Sequence, residues 1–293
     1  MHYSDGAFYR PLFENDMLQL QVATGCSHNK CAFCDMYKQP FSPSPRNEIV
    51  QDLDEMKAFW PRCPRIFLAG GNALCLPQQE LLFILEEISK RFPHATVGSF
   101  ARVTDIERKT DEQLAQLASL GLTDISIGTE SGLDCALADM HKGFTAKQSL
   151  EQCSRLERAG MAYNLFYLLG MAGFGRAHES AEATATLYGQ LAPRRIMVHT
   201  MTAFNGTELS ARIAQGDFRP AKELETVREL REFVELYQPR ARVFLLGNHI
   251  GNVAHASAFL PDDRSELLRY YDSILKASDE ETLARQRAAM TSI

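Results

Sequence analysis

Residues 65–102 read RIFLAGGNALCLPQQELLFILEEISKRFPHATVGSFAR and hold one whole strand–helix–strand unit. The first six, RIFLAG, are short, nearly all apolar and stopped by Gly70-Gly71. A run of that length bounded by glycine suits a strand covered on both faces. In residues 78–92, Leu81, Leu85 and Ile88 recur at steps of four and three, the stripe of an amphipathic helix. Residues 95–102 then return to β-type residues. A strand joined to the next by a helix predicts a parallel pair.

The same alternation continues in both directions. Further candidate strands are residues 18–24, 122–129, 161–170, 195–203 and 241–247. Helical patterns fill residues 47–60, with Ile49, Leu53, Met56 and Trp60 on one stripe, and 146–159, with Leu150, Cys153 and Leu156. Another, 111–120, begins at a capping box of Thr110 with Gln113 and ends at Gly121. Residues 222–237 align Leu224, Val227, Leu230, Val234 and Tyr237. Helices near 262–276 and 279–290 close the chain, the second capped by Ser278 with Glu281. The expected fold class is α/β, a partial (β/α)6-type parallel barrel with a mostly helical C-terminal extension. An open doubly wound sheet is the alternative. Residues 1–204 are expected to form the core, and 205–293 a helical and strand extension packed on it. In either architecture ligands bind where strands end and the following loops begin.

Composition narrows the function. The 293 residues are 45% hydrophobic and 23% charged, as in ordinary soluble proteins. A net charge of −6 supplies no positive field, so bulk nucleic-acid or acidic-membrane binding is not expected. No apolar run approaches the roughly 18 residues of a membrane span. Met1 to Asp16 lacks the apolar stretch of a secretory signal. Seven cysteines cannot all pair with one another, and the chain is expected in the reducing cytoplasm.

Three of those cysteines follow the first strand directly, in Gly25-Cys26-Ser27-His28-Asn29-Lys30-Cys31-Ala32-Phe33-Cys34. Thiolates are soft ligands that suit iron–sulfur clusters, zinc or copper. For zinc, His28 could serve as a fourth ligand. Structural zinc sites usually join two ligand pairs from separate segments, and no second pair follows here. A [4Fe–4S] cluster normally has four thiolates, so three would leave one iron open.

With Phe33 before the last cysteine, Gly70-Gly71-Asn72 after the second strand and Glu130-Ser131-Gly132 after the fourth, the chain resembles the radical S-adenosylmethionine superfamily. The order of motifs is similar to the branch of anaerobic coproporphyrinogen oxidase and the methylthiotransferases. Tyr9-Arg10-Pro11, Asn248-His249 and Leu260-Pro261-Asp262-Asp263 look like a narrower group, from which no particular substrate is implied. The resemblance runs from about residue 9 to 276. It departs in two places: the cysteine spacing is C-x4-C-x2-C rather than C-x3-C-x2-C, and the glycine motif ends in Asn72 rather than Glu.

The resemblance implies a [4Fe–4S] cluster on Cys26, Cys31 and Cys34, with S-adenosylmethionine on the open iron. Reductive cleavage would yield a 5′-deoxyadenosyl radical that takes hydrogen from a substrate. The cofactor carries that chemistry, while the protein supplies position and exclusion of water. Gly70, Gly71 and Asn72 would bind the cofactor, the glycines meeting the methionyl amino group, though a turn requiring positive φ explains a glycine pair equally well. Glu130 would approach the ribose, or else form an ion pair with Lys142. Lys142 could hold a carboxylate, or be an ordinary surface lysine. Ser99 and Arg102 lie near the end of the third strand within reach of the cofactor, Arg102 being fit for bidentate carboxylate binding. Phe33 and Gly170 would act near the adenine through their main chains.

Asn248 and His249 follow the last strand and are candidate substrate contacts, as is Cys75, the kind of second thiol that some radical enzymes use. Cys63, Cys135 and Cys153 show no grouping for an auxiliary cluster, and Cys153 is expected to be packing. A small-molecule or peptide substrate and an electron donor such as flavodoxin or ferredoxin would be the partners. The rival functions are a zinc-binding structural or regulatory protein and an RNA-modifying radical enzyme.

Overall fold

In the computed structural model residues 1–3, 9–14, 16–37 and 39–289 are described. Strand β1 is Leu18–Gln21, and a short ribbon pairs β2 (Ala23–Thr24) with β3 (Ser42–Pro43). Then come α1 (Arg46–Phe59), β4 (Arg65–Ala69), α2 (Gln78–Arg91), β5 (Thr96–Ala101), α3 (Val103–Glu107), α4 (Asp111–Ser119) and β6 (Leu122–Glu130). They are followed by α5 (Asp134–Asp139), α6 (Ala146–Arg158), β7 (Ala162–Leu169), α7 (Ala177–Tyr188), β8 (Arg195–Thr200), α8 (Glu208–Gln215) and α9 (Glu223–Leu236). The last elements are β9 (Val243–Leu246), β10 (Ser257–Leu260), α10 (Arg264–Ala277) and α11 (Glu280–Ala288).

Eight strands form one sheet in the order β1-β4-β5-β6-β7-β8-β9-β10. The chain steps to the adjacent strand each time through a helix, so the sheet is parallel (Leu18 opposite Ile66, Leu68 opposite Ser99) until β10 returns antiparallel along β9. This is the mostly parallel α/β fold that the alternation predicts.

Internal contacts divide the chain into two compact units. The first comprises Met1–Asn29, Met36–Gly128 and Gln152–Tyr163. Its core joins Leu20, Ile66 and Leu68 of the sheet with Leu53, Leu81, Leu85, Leu114 and Leu117 of the helices, all fully buried. Below them lies a buried ionic group. Arg65 Nε donates to Glu14 Oε2 at 2.8 Å, and Arg65 Nη2 stands 3.2 Å from Asp124. Both carboxylates are essentially inaccessible. The second unit comprises Lys30–Asp35, Thr129–Glu151 and Asn164–Ile293. Its core centres on Tyr167, Tyr188 and Phe233, with the Tyr167 and Phe233 rings 4.9 Å apart.

Several local expectations change. The first strand breaks at Val22, whose N–H bonds Ala69 O at 3.0 Å before the ribbon begins. Helix α11 is capped by Asp279, which accepts from Thr282 N–H at 2.8 Å, rather than by Ser278. An aspartate one residue on competes for the same amides and has the stronger acceptor. The expected end of this helix at residue 290 lies outside the described residues. Helix α7 carries no large-residue stripe, because AHESAEATATLY buries small side chains such as Ser180, Ala181 and Thr184. Strand β10 is four residues long and was not signalled by any alternation. No helix among the described residues is long and apolar enough to cross a membrane.

Candidate functional site

The cysteine loop begins in the first unit. Gly25 takes a φ of 67°, and a Cβ there would lie 2.6 Å from Gln39 O, so only glycine lets the chain turn. Gly71 N–H donates to Gly25 O at 2.9 Å. A Cβ on Gly71 would meet Gly25 O at 2.6 Å and the Cys26 Cβ at 2.7 Å. Gly70 has a φ of 136°. Close approach of two loops therefore requires both glycines, and they carry the β4 end directly against Cys26.

Asn72 completes this brace. It is fully buried. Its Oδ1 accepts from Ser27 N–H at 3.0 Å, and its Nδ2 donates to Ser27 Oγ at 2.7 Å and to Asp105 Oδ2 at 2.8 Å. Asp105 also accepts from Arg102 N–H at 2.8 Å, at the start of α3. The departure from Glu at position 72 thus has a local reason: the side chain must donate to the Asp105 carboxylate, which an acid cannot do when ionised. Burial pushes the Asp105 carboxyl up, opposed by the Arg102 amide and Asn72.

Cys75 stands half-buried on the same side. Burial pushes its thiol up to about 11, against the hydrogen bond with Ser27, with Asp105 and Cys26 nearby. Lys109, buried, donates to Leu76 O at 2.9 Å, and burial pulls its ammonium down. Ser99 is fully buried and bonds Phe100 O at 2.9 Å. Arg102 donates through Nη1 to Thr104 Oγ1 at 2.9 Å. Cys153, on α6, is fully buried and its thiol is raised by desolvation, as a packing residue should be.

The second unit holds the other end of the loop. Cys34 N–H bonds Cys31 O at 3.2 Å, which makes residues 31–34 a tight turn. Between them, buried Ala32 donates to Met140 O at 3.3 Å and accepts from Leu209 N–H at 2.8 Å. Lys142 is no surface lysine: it is buried, 3.2 Å from Glu130 Oε1, with the Phe33 and Phe144 rings at 5.8 and 5.6 Å. Glu130 has a φ of 63°, a left-handed conformation that costs a non-glycine residue roughly 1–2 kcal/mol. Period-two alternation along β6 therefore ends before it. Next to it, Gly132 sits so close to α7 that a Cβ would lie 2.3 Å from Ala183 O.

Gly170 ends β7 at a φ of 77° and donates its N–H to Glu229 Oε2 at 2.8 Å. After β9, Asn248 is exposed, while His249 is half-buried and stacks on His199 with ring centroids 3.9 Å apart. Gly251 N–H donates to His249 Nδ1 at 3.1 Å, which leaves Nε2 to carry the proton of the neutral ring. Burial, with Arg287 and His255, lowers His249, and burial takes His199 down to about 3.

The first unit thus gathers Cys26, Gly70, Gly71, Asn72 and Cys75, and the second gathers Phe33, Glu130 and Lys142. None of the seven cysteines is in a disulfide. Among the described residues no group of three or more His, Cys, Asp and Glu is placed to hold a metal ion. Ser27, Asp105, Lys109, His199 and Glu229 were not signalled. Asp105 could have been, since an acid three residues after a helix start is a capping pattern. The others are buried through contacts distant in sequence.

Three comparisons bear on this arrangement. The heme chaperone HemW of Lactococcus lactis subsp. lactis (strain IL1403) is 25% identical over 149 residues, which is 49% of this chain and 39% of that protein. The chain therefore spans about two fifths of the length of this curated relative. Coproporphyrinogen III oxidase (HemN) from Escherichia coli superposes with a TM-score of 0.57 at 13% identity, covering 75% of this chain and 51% of its own. The methyltransferase TsrM from Kitasatospora setae gives 0.57 at 15%, covering 68% and 37%. Identities this low show a shared fold. The family model described as Radical SAM superfamily matches residues 20–186, which begin in β1 and take in the cysteine loop, the glycine pair, Glu130 and Gly170. With more than half of its residues in that match, the chain belongs to the Radical SAM superfamily.

Proposed function

We propose that the protein is a radical S-adenosylmethionine enzyme in which Cys26, Cys31 and Cys34 hold a [4Fe–4S] cluster. The observation that carries this is a trio of half-buried cysteines, none in a disulfide, on the loop that follows β2, in a chain of this superfamily. The donor set suits the group. Thiolates are its usual ligands, and three rather than four leave one iron for another ligand. Such a cluster is fastened at its corners, so its ligands need not converge on one point as those of a single ion do. When bound, the cluster supplies the electron for reductive cleavage of S-adenosylmethionine, whose adenosyl fragment then takes hydrogen from a substrate.

The chain's own residues bind and orient. Gly71 and Asn72 keep the Cys26 segment in place. Lys142, paired with Glu130 beside Phe33, offers a buried cation to a carboxylate, and Glu130 its second oxygen to ribose hydroxyls. Arg102 directly follows β5, where strand-end ligands bind in this fold class, and Ser99 of the same strand is the other candidate there. Gly170 and Phe33 present backbone groups to the adenine side. Asn248, His249 and Cys75 contact substrate, a small molecule or peptide. A flavodoxin or ferredoxin supplies the electron.

Anaerobic reconstitution with iron and sulfide, followed by dithionite and S-adenosylmethionine, tests the reading. About four irons per chain, a broad visible absorbance and release of 5′-deoxyadenosine are expected. Stoichiometric zinc without iron, or no 5′-deoxyadenosine from a loaded cluster, refutes it.

A further inference from the structure

The loop leaving β7 is pinned to α9 at two points. Gly170 N–H donates to Glu229 Oε2 and Gly175 N–H to Glu225 Oε1, each at 2.8 Å. The two acids are four residues apart, one helical turn. Between the anchors, Gly173 N–H closes onto Gly170 O at 3.0 Å and Phe174 N–H reaches Arg219 O at 2.9 Å.

Of the two acids, Glu229 is the anomalous one. It is 1% exposed, and its Oε1 accepts from Tyr167 OH at 2.9 Å and Ser180 OH at 2.6 Å. Burying a carboxylate in a protein interior is costly, and stability alone is poorly served by it. Both hydroxyls could reverse and accept instead, but the Gly170 amide can only donate. Gly170 is the partner for which an acceptor at this position is indispensable.

We propose that Glu229 is a positioning residue of the cofactor site: by accepting from Gly170 N–H it sets the turn Gly170–Gly173 on which the nucleoside end of S-adenosylmethionine rests. This depends on the assignment of Gly170 to the cofactor made above. The titratable groups facing Glu229 are Tyr167 of β7, Glu225 of α9 and, beside Tyr167, Tyr188 of α7. Burial holds Tyr167 protonated far above its usual range, and pushes Glu229 up to about 7. An ionised acceptor grips an amide more tightly than a neutral one.

The test uses Glu229→Ala and Glu229→Gln in the full chain. In cluster-free protein, amide exchange at Gly170, corrected for intrinsic rate, is expected to rise about tenfold or more in Glu229→Ala and to stay within about threefold in Glu229→Gln. In the wild type the corrected rate for local openings that leave Glu229 buried, those insensitive to low denaturant, should fall as pH rises through 7, and in Glu229→Gln it should be flat. In reconstituted protein, Glu229→Ala should bind S-adenosylmethionine about tenfold more weakly with unchanged iron content. If Glu229→Ala does not fold, the pH profile of Glu229→Gln against wild type still decides. Unchanged exchange, or a wild-type profile as flat as that of Glu229→Gln, overturns the positioning role. Looser exchange with unaltered affinity overturns the assignment of Gly170 to the cofactor instead.

Discussion

Asn72→Ala should destabilise the metal-free protein by about 4 kcal/mol. Three hydrogen bonds are removed from a side chain with no exposure: acceptance from Ser27 N–H, donation to Ser27 Oγ and donation to Asp105 Oδ2. The first two are worth about 1 kcal/mol each, and the third, to a charged group, roughly 1.5–3 kcal/mol. Against a total stability of about 5–15 kcal/mol the loss would be plain in urea unfolding followed by circular dichroism. The nearly isosteric Asn72→Asp is the sharper comparison. It keeps the acceptor for Ser27 N–H but loses both donors, and it sets a second carboxylate about 2.8 Å from Asp105. Two such groups cannot both ionise, so one folded-state pKa rises above its unfolded value. A raised pKa contributes stability at low pH that is lost as pH climbs through it. At about pH 8 Asn72→Asp should therefore be at least as damaging as Asn72→Ala, and should recover toward pH 5. An aspartate milder than alanine by more than about 1 kcal/mol at pH 8 would mean that the Asn72–Asp105 bond is not what secures this loop.

Three other perturbations have worked signs. Burial raises Glu229 from 4.5 to about 7, so folded protein takes up a proton there and stability declines as pH rises across that window. Relative to Glu229→Gln, the wild type should lose roughly 3 kcal/mol between pH 5 and 8 in parallel urea titrations. Arg65→Met strands Glu14 and Asp124 in the interior and should cost about 3–5 kcal/mol, with part restored by adding Glu14→Gln; thermal unfolding of the two variants against wild type decides. Gly71→Ala forces its Cβ into backbone 2.6 Å away, so iron retained after reconstitution should fall several-fold, whereas Gly160→Ala, strained by its φ of 73° but with nothing within 4 Å of the added Cβ, should retain iron at the wild-type level.

The parallel sheet was legible because its signals are local. RIFLAG and the Leu81–Leu85–Ile88 stripe declare themselves within a few residues, and β4 and α2 formed where they pointed. Thr110 with Gln113 capped α4 as expected, since both partners lie within one turn. Misses followed the same logic. Helix α7 packs small side chains against neighbours such as Gly132, whose amide bonds Thr184 Oγ1 at 2.9 Å, so its buried face has no bulky residues to reveal it. Strand β10 is specified by its partner β9 more than by its own four residues.

The candidate site divides along the same line, and the division carries information. Cysteines, glycines and the Glu130–Lys142 pair were visible because residue type alone announces a ligand, a tight turn or a charge. What holds them was not visible, because Asn72, Asp105 and Glu229 act through bonds spanning 33 to 59 residues of chain. An aspartate in a short helix reads as a cap, and a glutamate among the charges of α9 as a solvated face. Only the fold shows that each is buried with a backbone amide to satisfy. Those amides belong to Arg102 and Gly170, both at ends of parallel strands. Strand ends are where this fold class places its ligands. Buried acids accepting from strand-end amides are thus a way to make loops rigid without filling the space in front of them. That arrangement would suit the reactive intermediate of the proposed function, since a mobile loop would admit water or a wrong hydrogen donor.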